Sequence, residues 1–270
     1  MGPDTHIAEC SSATRGVTVH SGNVPSRKIK AFWYAREPNF GDFLTPLLFS
    51  ALYGIDLEPA TAEEANLFCV GSILDLAPDH YAGHILGTGL MNRGGFRDIS
   101  KAKVHLLRGK LTKARMNGCP PCPVGEPGLL CSLLAPKVKK IYERGIIPHY
   151  MDLEHPEIQH WSQFDRALII DVRQPPMDTI AQAASCKEIV SSSLHGLVLA
   201  DALGIPNKWV SLSILKGKTF KFEDYYSVYD RDPIPARTIY KAFNDLDVMD
   251  TRDAKADVKR AFDEFVSKEA

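Results

Sequence analysis

The stretch Ser191-Ser192-Ser193-Leu194-His195-Gly196-Leu197-Val198-Leu199-Ala200-Asp201-Ala202-Leu203-Gly204-Ile205-Pro206 follows the apolar run Glu188-Ile189-Val190, which reads as a short buried strand. Behind the three serines, Leu194, Leu197, Val198 and Leu203 recur at helical spacing, and Gly204 and Pro206 close the helix. Strand, serine turn and helix make half of a βαβ unit, the building block of parallel α/β sheets. The unpaired N–H groups at such a helix start form a ready seat for an anion. His195 stands in the first turn. A phosphate or carboxylate held there has an imidazole beside it, which is an acid–base site in outline. The same residues also read as an ordinary helix start, with Ser193 as N-cap and His195 as a polar first-turn residue.

The rest of the chain repeats the alternation. Strands are expected at residues 29–34, 67–70, 84–86 and 104–107, with a helix over 41–53 stopped by Gly54 and another over 111–116. A second series has strands at 146–147, 167–172, 189–190 and 209–212, of which 167–172 is the clearest. Residues 120–144 hold turn residues and one short helix, so a domain boundary is expected at about residue 140. This predicts an α/β chain of two Rossmann-like domains facing a cleft, residues 28–140 and 141–270. The second domain ends in an amphipathic docking helix over 254–267, where Val258, Ala261, Phe262, Phe265 and Val266 share one face. Residues 1–27, rich in Ser, Gly and Thr, read as poorly ordered, with 17–20 able to add an edge strand.

Composition narrows the function. A hydrophobic content of 44% and a charged content of 24% are ordinary globular values, and a net charge of −1 gives no basic field to draw nucleic acid. No apolar run approaches the roughly 20 residues of a membrane span. The start of the chain lacks the basic-then-apolar pattern of a secretory signal, so the protein is expected in the cytoplasm. Cys119-Pro-Pro-Cys122 has C-x-x-C spacing, but no second Cys or His pair follows at zinc-site distance. It reads as a loop carrying two thiols in preference to a metal or redox centre. The carboxylates are too scattered to suggest a metal.

Ligands of open parallel sheets bind beyond the strand C-termini. The polar residues that directly follow the expected strands are therefore the candidates: Asn39, Asp42, Ser72 and Arg108 in the first half, His149, Asp152, Arg173 and 191–195 in the second. Two arginines, two histidines and two aspartates suit an anionic small substrate together with a hydroxylated one. No G-x-G-x-x-G and no G-x-x-x-x-G-K-[ST] is present, which argues against a dinucleotide or a P-loop nucleotide site.

Six stretches carry a resemblance. Asn39-Phe40-Gly41-Asp42-Phe43-Leu44-Thr45, Gly71-Ser72-Ile73-Leu74, Leu107-Arg108-Gly109-Lys110-Leu111-Thr112, Gly125-Glu126-Pro127-Gly128-Leu129-Leu130, Ile147-Pro148-His149-Tyr150-Met151-Asp152 and Ser192-Ser193-Leu194-His195-Gly196 occur in that order. Together they resemble the polysaccharide pyruvyl transferase family, and most of all its succinoglycan-type ketal-transferring members. The resemblance runs from about Asn39 to Tyr226. It implies a fold like that of GT-B glycosyltransferases and transfer of the enolpyruvyl carbons of phosphoenolpyruvate to a sugar, with a pyruvate ketal formed and phosphate released. It further implies a lipid-linked oligosaccharide acceptor at the cytoplasmic membrane face, reached by peripheral attachment without a membrane span. Two positions depart from the family pattern: Ser193 stands where many members carry Arg, and Glu126 where Asp is usual.

Phosphoenolpyruvate brings about three negative charges, which call for guanidinium forks and oriented N–H groups. Arg173 and Arg108 are the expected clamps, with Ser192, Ser193, Leu194 and the N–H groups of 193–196 taking the phosphate. His195 is the expected general acid toward the methylene carbon. Asp42 is the expected acceptor of the sugar hydroxyl's proton, or else a carboxylate serving the helix dipole. Asn39, Ser72 and His149 complete the expected substrate contacts, although a histidine after a strand is more readily structural. No cofactor is called for beyond the donor substrate. A GT-B glycosyltransferase using a nucleotide sugar and a non-catalytic sugar-binding module are the alternatives. The first ordinarily needs a ribose-binding carboxylate at the cleft, and Asp201 falls inside its helix instead. The second needs no arginine clamp.

Overall fold

The computed structural model describes residues 28–212 and 219–269. The poor order expected at residues 1–27 and the edge strand at 17–20 lie outside them. In the first half the strands are β1 (Lys30–Phe32), β2 (Glu58–Pro59), β3 (Leu67–Phe68), β4 (His84–Leu86), β5 (Arg97–Asp98), β6 (Lys103–Leu106) and β7 (Met116–Asn117). In the second they are β8 (Tyr142–Ile147), β9 (Ala167–Ile169), β10 (Cys186–Ser191) and β11 (Asn207–Trp209). A five-stranded sheet runs β2-β1-β3-β4-β6, a four-stranded sheet runs β11-β10-β8-β9, and β5 pairs with β7 apart from both. All pairings within these sheets are parallel. The protein is thus an α/β protein built on parallel sheets, as the strand–helix alternation requires.

The helices are α1 (Leu44–Tyr53), α2 (Lys110–Lys113), α3 (Pro156–Trp161), α4 (Pro176–Ala184), α5 (Leu194–Ala202), α6 (Phe220–Tyr226), α7 (Ile239–Phe243) and α8 (Arg252–Glu269). Gly54 ends α1 in the left-handed conformation, φ 66°, and returns its N–H to Ser50. The helix expected over 111–116 is a single turn, because the chain is pulled straight at Met116 to pair with Arg97. The strand expected over 167–172 stops at Ile169 and is an edge strand, half-buried, while the longer β8 and β10 form the centre of their sheet. Pairing of Asn207 with Ile189 starts β11 earlier than the expected residues 209–212.

One apolar cluster runs through both halves. Leu44, Phe49 and Leu67 belong to it together with Ile147, Ile189, Val258 and Phe262. Two segments knit it. The 3-10 segment Pro127–Leu133 packs on α5 and α8, and α8 lays Phe262 and Phe265 on Phe49, ring centroids 5.6 and 5.8 Å apart. The end of α8 reaches β4, where Glu269 lies 3.5 Å from His84. The docking helix at the chain's end therefore sits against the first sheet. Truncating the fully buried Phe262 to Ala should cost about 3–5 kcal/mol, read as a lowered denaturant midpoint with unchanged slope. A loss below about 1 kcal/mol would mean α8 contributes little to the core.

Candidate active site

The sequence segments that follow β1, β3, β8 and β10 converge on a cavity of about 560 Å³. From the first half come Asn39, Asp42 and Ser72, beside Tyr34, Leu76 and Met91; from the second come His149, Ser193, Leu194, His195 and Lys221. The two walls are tied directly: the Phe40 N–H donates to the Val172 carbonyl at 2.6 Å. Asn39 turns its carboxamide oxygen back to the Gly41 N–H, 3.3 Å, which fixes the loop carrying Asp42.

α5 is buried on every face except at His195. Gly196 allows this, since a Cβ there would lie 2.3 Å from Ser191 Oγ and 2.8 Å from Ile147. Ser193 sits at the N-cap with extended backbone, but its hydroxyl makes no capping bond. The Ser193 N–H is instead taken by Ser191 Oγ at 3.0 Å, and that hydroxyl reaches the Ile147 carbonyl at 2.6 Å. The His195 ring, with a side chain 12% exposed, lies over Gly41, where a Cβ would fall 1.8 Å from Nδ1. On its other side Nε2 is 3.7 Å from Glu126 Oε1, and Glu126 is fully buried.

Electrostatics divide the cavity's ionisable groups. Burial lifts the Asp42 carboxyl above the usual carboxylate range, opposed by the positive charges of His195 and Lys221 and by the Asn39 hydrogen bond. Burial first, then the Lys221 charge, push His149 down to about 4, with Asp152 opposing. His149 is therefore a neutral ring at neutral pH. Its Nδ1 accepts the Met151 N–H at 3.4 Å, which leaves Nε2 as the donor, and the ring stacks on Tyr150 at 4.6 Å.

Three expected contacts are corrected. Arg108 does not reach the cavity: it is fully buried, and its guanidinium donates to Asp224 (2.8 Å), to the Leu90 carbonyl (2.6 Å) and to Ser72 Oγ. It holds Ser72 in place and has no donor edge turned outward for an anion. Arg173 is half exposed outside the cavity, locked on Asp171 of its own turn by contacts of 2.7–3.1 Å. Ser192 is buried behind the wall, where its hydroxyl donates to Asp152 (2.7 Å) and accepts the His149 N–H (2.9 Å). Among the described residues, the Lys or Arg that lines the cavity is Lys221, which the sequence reading missed. Its signal was a lysine set between two large apolar residues, Phe220 and Phe222, both buried on α6. Cys119 and Cys122 lie apart from the cavity with their sulfurs 3.8 Å apart. Among the described residues no group of three His, Cys, Asp or Glu side chains is placed to hold a metal, and no helix is long and apolar enough to cross a membrane.

The state of His149 has a consequence for stability. The folded protein keeps the ring neutral down to about pH 4, whereas the unfolded chain protonates it from the ordinary histidine value of 6.5. The contribution is complete above that value and is lost as pH falls toward about 4. His84 and His105 are lowered in the same sense, by burial first. His149→Gln should therefore reduce, without abolishing, the loss of stability on acidification. Denaturant unfolding at about pH 7, 5.5 and 4.5 checks it, and parallel curves for variant and wild type would sink it.

Comparison with known proteins bears on the same residues. The polysaccharide pyruvyl transferase family model matches residues 99–213, a span that holds Glu126, His149 and His195. An uncharacterised protein of Acanthamoeba polyphaga mimivirus is 34% identical over 218 residues, 75% of each chain. The succinoglycan biosynthesis protein ExoV of Rhizobium meliloti is 29% identical over 208 residues, which are 72% of this chain and 62% of that one. With a helix-start histidine, an aspartate and a lysine lining one cavity, the chain belongs to the polysaccharide pyruvyl transferase family.

Proposed function

We propose that this protein transfers the pyruvyl group of phosphoenolpyruvate to a sugar of a surface or extracellular polysaccharide precursor, forming a ketal and releasing phosphate. The observation that carries the reading is the single cavity in which His195, Asp42 and Lys221 meet beside the start of α5. Lys221 and the N–H groups of 194–196 receive the donor's anionic groups, in place of the arginines expected there and without the Ser193 N–H, which Ser191 Oγ holds. Neutral His149 adds a hydrogen bond without charge.

In this scheme the imidazolium of His195 protonates the methylene carbon of the enol, leaving a cationic centre at the phosphate-bearing carbon. A sugar hydroxyl adds there and its proton passes to Asp42, whose lifted carboxyl suits a base. A second hydroxyl then displaces phosphate. Of the two hydroxyl protons, one replaces that spent on the methyl carbon and the other leaves with phosphate. The two parallel sheets support reading residues 28–140 as the acceptor domain and 141–270 as the donor domain of a GT-B-like pair. We take the acceptor to be a lipid-linked oligosaccharide met at the cytoplasmic membrane face. The scheme needs no cofactor beyond the donor substrate.

The test is phosphate release from phosphoenolpyruvate in the presence of a panel of galactosyl and glucosyl acceptors. His195→Ala should lower kcat by about 10²-fold or more while donor affinity stays within a few-fold. Lys221→Ala should weaken donor binding by about 1.5–3 kcal/mol in calorimetry. Asp42→Asn should impair transfer and spare donor binding. Full activity in His195→Ala would remove this mechanism, and consumption of a nucleotide sugar in place of phosphoenolpyruvate would replace it.

A further inference from the structure

We infer that Glu126 is a positioning residue for His195: its buried carboxylate takes the Nε2–H of the imidazole and so makes Nδ1 the nitrogen that hands a proton to substrate. The catalytic half of this rests on the reading of His195 as general acid; the positioning half does not. Glu126 is fully buried and 3.7 Å from His195 Nε2. Its Oε1 accepts the Gly128 N–H at 3.3 Å, while its Oε2 has no hydrogen-bond partner among the described residues. His195 Nε2 is likewise buried without a hydrogen-bond partner among the described residues. Native interiors seldom leave a carboxylate oxygen and a ring nitrogen unmet, and a buried carboxylate without a counterpart is costly. Each side chain supplies what the other lacks.

Among the described residues, the ion pair that Glu126 makes is the one with His195. Thiols of Cys69 and Cys131 lie near enough for its charge, after burial, to push both upward. The Tyr229 hydroxyl also feels that charge. The backbone is fixed too. Glu126 caps the 3-10 segment Pro127–Leu133, Pro127 sets its first turn, and Gly128 lets the segment close on α5, where a Cβ would be 2.9 Å from Val198. Across the ring, the missing side chain of Gly41 leaves the room that Nδ1 occupies. The ring is held between a carboxylate and a glycine. This is the carboxylate–imidazole arrangement that fixes a tautomer without itself touching substrate.

The proton count follows. The imidazolium gives up its Nδ1–H to the carbon and remains as the Nε2–H tautomer, still bonded to Glu126. Long-range ¹H–¹⁵N spectra of the labelled wild-type protein, taken on the alkaline side of the His195 titration and assigned with His195→Gln, read that tautomer directly. The expected result is Nε2–H; a dominant Nδ1–H form overturns the proposal whatever the enzyme's substrate. Glu126→Gln should lower kcat by about 10- to 100-fold with the donor KM within about threefold, and Glu126→Asp should keep more activity than Glu126→Gln. Full kcat in a folded Glu126→Gln protein also overturns it. Should that variant not fold, the wild-type spectrum decides alone. An Nε2–H tautomer in a protein that releases no phosphate from phosphoenolpyruvate would retire the proposed function and leave the positioning role standing.

Discussion

The ion pair between Arg108 and Asp224, both with side chains 0% exposed, is the contact on which the cavity depends. Taking two charges out of water costs several kcal/mol per ion, and attraction offsets this only where the remaining donors and acceptors are also met. They are met here. The carboxylate receives the Arg108 Nε–H and, from α2, the Thr112 N–H at 2.6 Å and hydroxyl at 2.7 Å. The guanidinium spends its other edges on Leu90 and Ser72. Two glycines make the approach possible: a Cβ at Gly89 would lie 2.5 Å from the guanidinium carbon, and one at Gly109 would lie 2.0 Å from the Asp224 carbonyl oxygen. Through this pair the first half grips α6, and α6 presents Lys221 one turn before Asp224. The same guanidinium sets Ser72 on the opposite wall. An arginine that looks like a substrate clamp in the sequence instead builds both walls of the cavity.

The charges left facing the cavity form a graded set. His149 is kept neutral, Asp42 is lifted toward neutrality, and the lysine stands within electrostatic reach of both. In a partly buried space each group's state depends on the others more than it would in water. Neutral His149 adds no charge to the cavity, where among the described residues Lys221 is the Lys or Arg of the lining.

Much of this was legible in the sequence, and the failures have physical causes. Strand–helix alternation and the helix stop at Gly54 follow from local periodicity and from glycine's tolerance of positive φ, which tertiary contacts did not override. Asn39, Asp42, Ser72, Ser193, Leu194 and His195 were found because strand C-termini in parallel sheets point the following residues at a common edge. Arg108 and Arg173 also follow strands, and position could not say that one is consumed by Asp224, 116 residues away, and the other by Asp171, two residues away. Lys221 was missed for the converse reason. It comes from a helix start packed in from the far end of the chain, and no strand announces it. The short β9, the single-turn α2 and the early start of β11 are likewise decided by pairing partners distant in sequence.

A cavity assembled from two sheets is catalytically useful only if its walls keep their spacing, because reacting groups misplaced by about 1 Å can lose about 10²-fold in rate. Here the spacing is set before any ligand arrives. The Phe40–Val172 hydrogen bond joins the walls at the backbone, Arg108–Asp224 joins them through buried side chains, and α8 carries the second half's chain back onto α1 and β4. The apolar cluster is continuous beneath all three. His195 is reached by this frame from two directions, through Gly41 on one wall and Glu126 on the segment that packs under α5. A frame tied at so many points leaves the imidazole little freedom to search, so its aim is a property of the fold and not of the substrate.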